Sequence, residues 1–440
     1  MDKKLKKRAD MDPENKWDIE AMYPDETLWE KDLEIGLEKS RQFADLQGSL
    51  TTSSQNLLSA LKLRDEIWQT VEKAFVYARM RRDEDNASEK YQAMTDKVAS
   101  FISKISATMA FFTPELIGCA EETVMAYINE NPSLKMYRFA LTSLFRQKAH
   151  VLSHDEENLM AQMGEVLSAT DDIFTMLNNA DLKFEDIEDE NGNMVELTHG
   201  NYITYMESHD RGLRQRAYES MYHSYRNLIN TLATSYNYNT KTDVVTARIR
   251  KYTSSRAAAL SGDNVPETVY DNLIEVVNQA LPTLHKYIAL RKKILGVDAL
   301  KMHDIYVPLI KLPKRELTFE ESAGIMLESL APLGEDYLAG VTNGIAEKWI
   351  DVYENQGKTS GAYSFGSFDS KPYILLNYTS TLKDVFTLVH EMGHSMSRTG
   401  LCLYERCFRT GLQKSDEVQH PLAEHSCSPK VSADCQWWIW

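Results

Sequence analysis

The sequence predicts a mainly α-helical protein with a small β-hairpin beside one histidine-bearing helix. Three observations carry that reading. Long stretches place apolar residues at helical spacing, two short strand-like runs are bounded by Gly, Pro and Asn, and a His-Glu-x-x-His pattern lies on the last well-patterned helix. The composition is that of a globular chain: 440 residues, 43% hydrophobic and 26% charged, which suggests two or three domains. A net charge of −16 argues against a non-specific nucleic-acid binder. No run of about 18 apolar residues suggests a membrane span, and no apolar segment follows the basic start at Met1–Lys7 to make a signal peptide. Cys119 is the only cysteine before residue 397, so no disulfide framework is expected there and the cytoplasm is the expected compartment.

From Thr27 to about Asn178 the period is helical. Ile67, Val71, Phe75 and Met80 fall at helical steps, as do Val98, Ile102, Ile105 and Met109, and core packing accounts for such stripes. Between Leu182 and Thr204 the pattern changes to alternation around Asn191-Gly192, which predicts a β-hairpin near a domain boundary. Helices resume from Tyr202 to Thr246 in a tyrosine-rich stretch whose rings are expected at half-buried core positions. Pro266 opens and Gly296 closes a long amphipathic helix. His303 to Pro308 reads as a short strand or loop, and Thr318–Leu330 and Gly334–Trp349 as two further helices.

The segment from Gly361 to Met396 carries the chemistry. Gly361–Phe368 and Lys371–Tyr378 read as a hairpin, either with an outer strand that receives an extended substrate or as core strands. Thr381 and Asp384 form a capping pair, and Val385, Leu388, Val389, Met392 and Met396 form the apolar stripe of the helix that follows. On it lies His390-Glu391-Met392-Gly393-His394. The i, i+4 spacing stacks two imidazoles on one face, as two ligands of one Zn²⁺ require. Glu391, rotated about 100° from His390, can face the open coordination position and take a proton from water that the metal has acidified to a pKa of about 7.

These residues, with Lys371-Pro372-Tyr373-Ile374-Leu375-Leu376-Asn377-Tyr378, Trp17-Asp18-Ile19, Tyr23-Pro24, Trp29 and His303-Asp304-Ile305-Tyr306, resemble the oligoendopeptidase F group of the thimet-type (M3) zinc oligopeptidases. The resemblance spans roughly residues 14 to 396. It implies a bowl-like, multi-helix zincin fold around a deep channel, and a cytoplasmic metalloendopeptidase that hydrolyses short peptides and excludes folded proteins. It implies His390 and His394 as ligands of one Zn²⁺, Glu391 as the catalytic residue, short peptides as partners, and neither nucleic acid nor membrane. Asp384 is expected to cap the helix, with support of the metal site as the alternative. The expected division is 1–115, a helical region; 116–200, a helical segment ending in the hairpin; 201–396, a partial catalytic domain; and 397–440, an aberrant tail.

The resemblance also implies a third zinc ligand, a Glu about two dozen residues after His394 on an apolar helix. Here the helical period stops at Met396. The last 44 residues carry balanced charge, four of the five cysteines (Cys402, Cys407, Cys427, Cys435) and three of the seven tryptophans. Glu417 and Glu424 are weak candidates for the third ligand. Two accounts of the tail stand: a zinc or redox element using its cysteines with His420 and His425, or out-of-frame translation that leaves the catalytic domain incomplete. The second is the expectation. It brings an alternative function, a catalytically inactive helical scaffold that at most binds peptides and is prone to aggregate.

Overall fold

The computed structural model of the chain describes residues 5–310 and 315–409, with side chains through residue 398. Its helices in chain order are α1 (Glu26–Ala44), α2 (Ser54–Glu84), α3 (Glu89–Thr108), α4 (Phe112–Gly118), α5 (Glu121–Glu130), α6 (Arg138–Arg146), α7 (His154–Leu167), α8 (Ala169–Met176), α9 (His199–Met206), α10 (Arg211–Asn227), α11 (Ile229–Ile249), α12 (Ser255–Gly262), α13 (Glu267–Leu295), α14 (Phe319–Leu330), α15 (Glu335–Ala346) and α16 (Leu382–Arg409). The strands are β1 (Ile187–Glu188), β2 (Met194–Val195), β3 (Ile350–Asp351), β4 (Tyr363–Phe365) and β5 (Tyr373–Leu375). The chain is mainly α with two small sheets, as the periodicity predicts. Among the described residues no helix is long and apolar enough to cross a membrane. Two compact units form: Ser168–Glu316 together with Leu5, and Lys6–Leu167 together with the chain from Leu317 onward.

The second of these units holds the histidine-bearing helix. Its foundation is α1, α2 and α3. The Ser53 hydroxyl caps α2 by accepting from the Asn56 N–H; Leu57, Leu61, Ile67 and Val71 are buried along one side of that helix, and Met80 enters a different core near its end. Gly36 lets α1 approach α2 closely, since a Cβ there would meet Val71 Cγ2 at 2.6 Å. Above these helices lies a three-stranded sheet in the order β3-β5-β4, with β3 parallel and β4 antiparallel to β5. Side chains alternate across it. Tyr373 and Leu375 enter a core with Trp17, Trp29, Val76 and Met80, whereas Ile374 and Leu376 enter a second core with Met326, Val341, Leu388 and Met392. The sheet is therefore covered on both faces, by α1–α3 on one side and α14–α16 on the other, and this explains the unbroken apolar run of β5. β3 went unpredicted because it is two residues long and one of them is a buried Asp.

That Asp351 is the centre of a buried ionic group. Lys358 Nζ lies 2.6 Å from its Oδ1, and the Arg8 guanidinium donates to both carboxylate oxygens. Arg8 also reaches Glu84 at 2.9 Å, and Trp17 Nε1 donates to the same Glu84 oxygen at 2.6 Å. Burial alone would raise the Asp351 pKa, but the charges of Lys358 and Arg8 outweigh it and hold the carboxyl below its ordinary value. The N-terminal segment is thereby tied to the sheet, with backbone bonds from Val352 N–H to the Asn15 carbonyl and from Asp18 N–H to the Lys348 carbonyl.

In the other unit β1 and β2 form the predicted hairpin, with Gly192 at φ 81° in its turn. Ile187 and Val195 pack with Tyr202, Met206, Leu213 and Ala217 of α9 and α10. α13 follows Pro266 and ends at Gly296, which takes the left-handed φ of 63° expected of a closing glycine. His303 to Pro308 is not a strand. A 3₁₀ turn, Met302–Asp304, starts it, because the buried Asp304 carboxylate must collect donors: Arg211 Nε and Nη2, Arg214 Nη2 and the Lys301 N–H. Burial would raise the Asp304 pKa, and these donors overcome it and hold it far below the usual carboxylate range. The tyrosine expectation is only partly met: Tyr205, Tyr218 and Tyr225 are half-buried against the core of this unit, but Tyr222, Tyr236 and Tyr238 are 39%, 75% and 56% exposed. α13 likewise presents Val269, Leu273, Val277, Leu284 and Leu290 to solvent.

His199 opens α9 with its Nε2 2.8 Å from the Tyr225 hydroxyl, which donates to Asn178 Oδ1 at 2.7 Å. Burial lowers the His199 pKa to about 4. The unfolded chain, with an ordinary pKa near 6.5, therefore binds this proton more readily than the folded one. Its contribution to stability is full above that value and is lost as pH falls from there through about 4. The wild type should lose up to roughly 3 kcal/mol more than His199→Gln between pH 7 and pH 4. Denaturant unfolding of both proteins across that range checks this, and parallel curves would refute a buried neutral imidazole.

The helix bearing the histidines does not stop where its apolar period stops. α16 runs through Arg409, past Met396. Once nucleated, a helix extends at little cost, and residues 397–409 contain no proline and a single glycine, Gly400. Glu417, Glu424, His420, His425, Cys427 and Cys435 lie outside the described residues, as do the side chains of Cys402 and Cys407.

Candidate active site

The site is assembled by α16 and the hairpin β4–β5. Asp384 starts the helix: its Oδ2 accepts from the N–H and hydroxyl of both Thr379 and Thr381, at 2.7 to 3.1 Å. This resolves its role as capping, since the oxygen is committed at the N-terminus. Leu388 and Met392 are fully buried, and Val389 and Met396 pack beside them. With that stripe anchored, His390 and His394 are turned to the exposed side, one turn apart.

Their rings converge. The two Nε2 atoms are 3.1 Å apart, and the rings stand nearly perpendicular, at 86°, with centroids 4.7 Å apart. Two nitrogens at the Zn–N distance of about 2.0–2.1 Å from a single ion would be separated by about this much at a near-tetrahedral angle. The pair fits two ligands of one zinc ion. Among the described residues no His, Cys, Asp or Glu joins them to make a group of three. Burial and the neighbouring His390 lower the His394 pKa, which favours the neutral imidazole that binds metal.

Glu391 is 3% exposed. Burial pushes its pKa up to about 7, an effect that the nearby Ser364 backbone N–H opposes. That N–H is available because of the strand register. The Ile374 and Leu376 N–H groups donate to the Trp349 and Asp351 carbonyls on the β3 side. Tyr373 and Leu375, paired with Phe365 and Tyr363, therefore make the ladder to β4, and Ser364, opposite Ile374, directs its N–H to the outer edge. β5 is thus the core strand and β4 the edge strand. Asn377 holds the chain entering β4 through Nδ2, which donates to the Thr359 and Gly361 carbonyls at 3.0 and 2.8 Å. On the opposite face the Tyr363 hydroxyl donates to Asp83 at 2.8 Å.

Sequence patterning thus located His390, Glu391 and His394, and the structure brings all three to one place. It did not identify Ser364, Asn377 or Ser395, whose roles depend on a pairing between distant segments. Ser395 is fully buried, its Oγ 2.8 Å from Ser364 Oγ.

Comparison with known proteins agrees with this arrangement. The sequence pattern described as Peptidase family M3 matches residues 204–399, and that described as Oligopeptidase F matches residues 115–184. The crystal structure of oligoendopeptidase-F from Enterococcus faecium is 32% identical, with a TM-score of 0.65, over 88% of this chain and 69% of that one. The chain belongs to peptidase family M3, in its oligoendopeptidase F group. Oligopeptidase PepF of Bacillus subtilis is 39% identical over 392 residues, 89% of this chain and 58% of that protein. The plasmid-borne oligoendopeptidase F of Lactococcus lactis subsp. cremoris is 41% identical over 89% of this chain and 65% of that protein. This M3 chain therefore spans about three-fifths to two-thirds of the length of these curated relatives.

Proposed function

We propose that this chain is a zinc metalloendopeptidase acting on short oligopeptides, with His390 and His394 holding the metal and Glu391 as the general base. The observation that carries the reading is the convergence of the two imidazoles at 3.1 Å beside a buried carboxylate. Bound there, Zn²⁺ supplies a Lewis acid that polarises a peptide carbonyl and acidifies water. Glu391 takes the proton of the attacking water and passes it to the leaving amine nitrogen. Its raised proton affinity suits both halves of that transfer at neutral pH. No acyl-enzyme forms, because no side-chain nucleophile attacks. The outer edge of β4 lies beside Glu391 and offers main-chain groups to an extended peptide by strand addition. The cytoplasm is the proposed compartment, in keeping with the single cysteine before residue 397.

A second reading remains beside it, because the candidate third ligands Glu417 and Glu424 lie outside the described residues. On that reading the chain is a catalytically inactive helical scaffold that binds peptides. A fluorescence-quenched peptide assay separates the two. The expected result is hydrolysis that a chelator abolishes and added zinc restores. Absence of hydrolysis at every zinc concentration would leave the scaffold reading in its place.

A further inference from the structure

We infer that Arg398 is a specificity-determining residue, taking a carboxylate of the peptide substrate at the C-terminal end of β4. The inference rests on the peptidase reading above and deepens it by adding an anionic group to the substrate class. α16 and β4 run side by side in the same direction. The Ser395 hydroxyl meets that of Ser364 at 2.8 Å. Three residues further along the helix, the Arg398 guanidinium sits 5.8 Å from the ring centre of Phe365, the next and last residue of the strand. Arg398 is i+4 from His394 and i+8 from His390, about 40° and 80° round the helix from them, on the face that carries the pair. It also falls within the segment matched by the family pattern, which runs to residue 399.

The free charge of Arg398 calls for a ligand. Its guanidinium has the Phe365 ring beside it, and among the described residues no carboxylate comes within ion-pair distance. By contrast, Arg8, Arg79 and Arg81 of the same unit each hold a carboxylate. A cation–π contact steadies the charge without using the N–H fork, so a planar set of donors remains to grip a carboxylate with two parallel bonds. A chain of net charge −16 repels an acidic peptide at long range, and a local cation is needed to seat its anionic group. The location fixes where that group lies in the substrate. Ser364 turns its main chain to the outer edge of β4, where an extended peptide adds as a further strand. Along α16 the step from His394 to Arg398 is about 6 Å, and an extended peptide advances about 3.3 Å per residue. The carboxylate therefore belongs about two residues to one side of the bond that faces the histidine pair. It comes either from the peptide's C-terminus or from an Asp or Glu side chain. The competing account is that Arg398 only braces the edge strand through Phe365.

The test measures binding by fluorescence anisotropy on the full chain in the presence of a chelator, so that no peptide turns over. Fluorescein-labelled, alanine-rich peptides are paired with neutral twins: a C-terminal acid against its amide, and Glu against Gln scanned along the peptide. The wild type should bind the carboxylate member about tenfold tighter in one arm, and the arm that shows it names the source. Arg398→Gln should bring that peptide within about twofold of its twin and leave the twin's own Kd within about twofold. Arg398→Lys keeps the charge and loses the fork, so it should retain only part of the preference, and it carries the conclusion if the Gln variant folds poorly. Equal binding of both twins by the wild type in every arm overturns the inference. So does a preference undiminished in either variant, or a loss shared equally by both twins, which is the signature of bracing alone. With zinc restored, the cleaved bond should lie about two residues from the preferred carboxylate. A wild type without chelator-sensitive hydrolysis would remove the peptidase reading, while the binding arms still decide whether Arg398 holds a carboxylate.

Discussion

Glu391→Gln is expected to lower kcat by about 10²–10⁴-fold, the usual contribution of a positioned general base, while zinc content stays that of the wild type. The substitution separates proton transfer from everything else the residue does. Gln has nearly the same shape and can occupy the same buried place beside the Ser364 backbone. The neighbouring histidines are untouched, so the pair of nitrogens 3.1 Å apart remains. What is lost is a group able to take up a proton at neutral pH, and kcat and KM should therefore divide, with kcat falling and KM nearly constant. Hydrolysis by the variant at the wild-type rate would remove Glu391 from the mechanism. Metal content measured on the same samples guards against a trivial loss of zinc.

The His390–Glu391–His394 constellation was legible because it is local: five residues on one helix place three side chains by helical geometry alone. The same holds for most helices, whose apolar stripes, such as Leu57, Leu61, Ile67 and Val71 of α2, repeat within a few turns. The hairpins were legible from their turn and boundary residues. What escaped were features made by contacts across long sequence separations. Ser364 and Ser395 are 31 residues apart, and a serine in either context carries no signal of its partner. β3 exists because β5 lies alongside it, and its buried Asp351 contradicts the apolar pattern that marks a strand. The exposed Tyr236 and Tyr238 show the reverse error, since an aromatic residue in a helical pattern does not reveal whether a neighbour covers it. The continuation of α16 past Met396 has a similar origin: apolar period reports which face is buried, and a helix can persist without one.

Asp351 is where the second large effect is expected. Its carboxylate is 1% exposed and neutralises Lys358, whose ammonium is fully buried, and Arg8, which is 15% exposed. Burial lowers the Lys358 pKa even with this partner in place, so the lysine depends on Asp351 to stay charged. Asp351→Asn should therefore cost about 3–5 kcal/mol, because a buried cation is left without its counter-ion. Arg8 is not stranded in the same way, since Glu84 still holds it at 2.9 Å. Adding Lys358→Met to Asp351→Asn should consequently recover at least half of the loss, as the remaining polar groups then carry no unpaired charge. Guanidinium unfolding of the three proteins tests this. A single variant within about 1 kcal/mol of wild type, or a double variant weaker than the single, would show that the group is not held together by charge. The consequence extends to the site: Asp351 is one strand away from β5 and two from β4, so the same substitution should also loosen the sheet against which α16 packs.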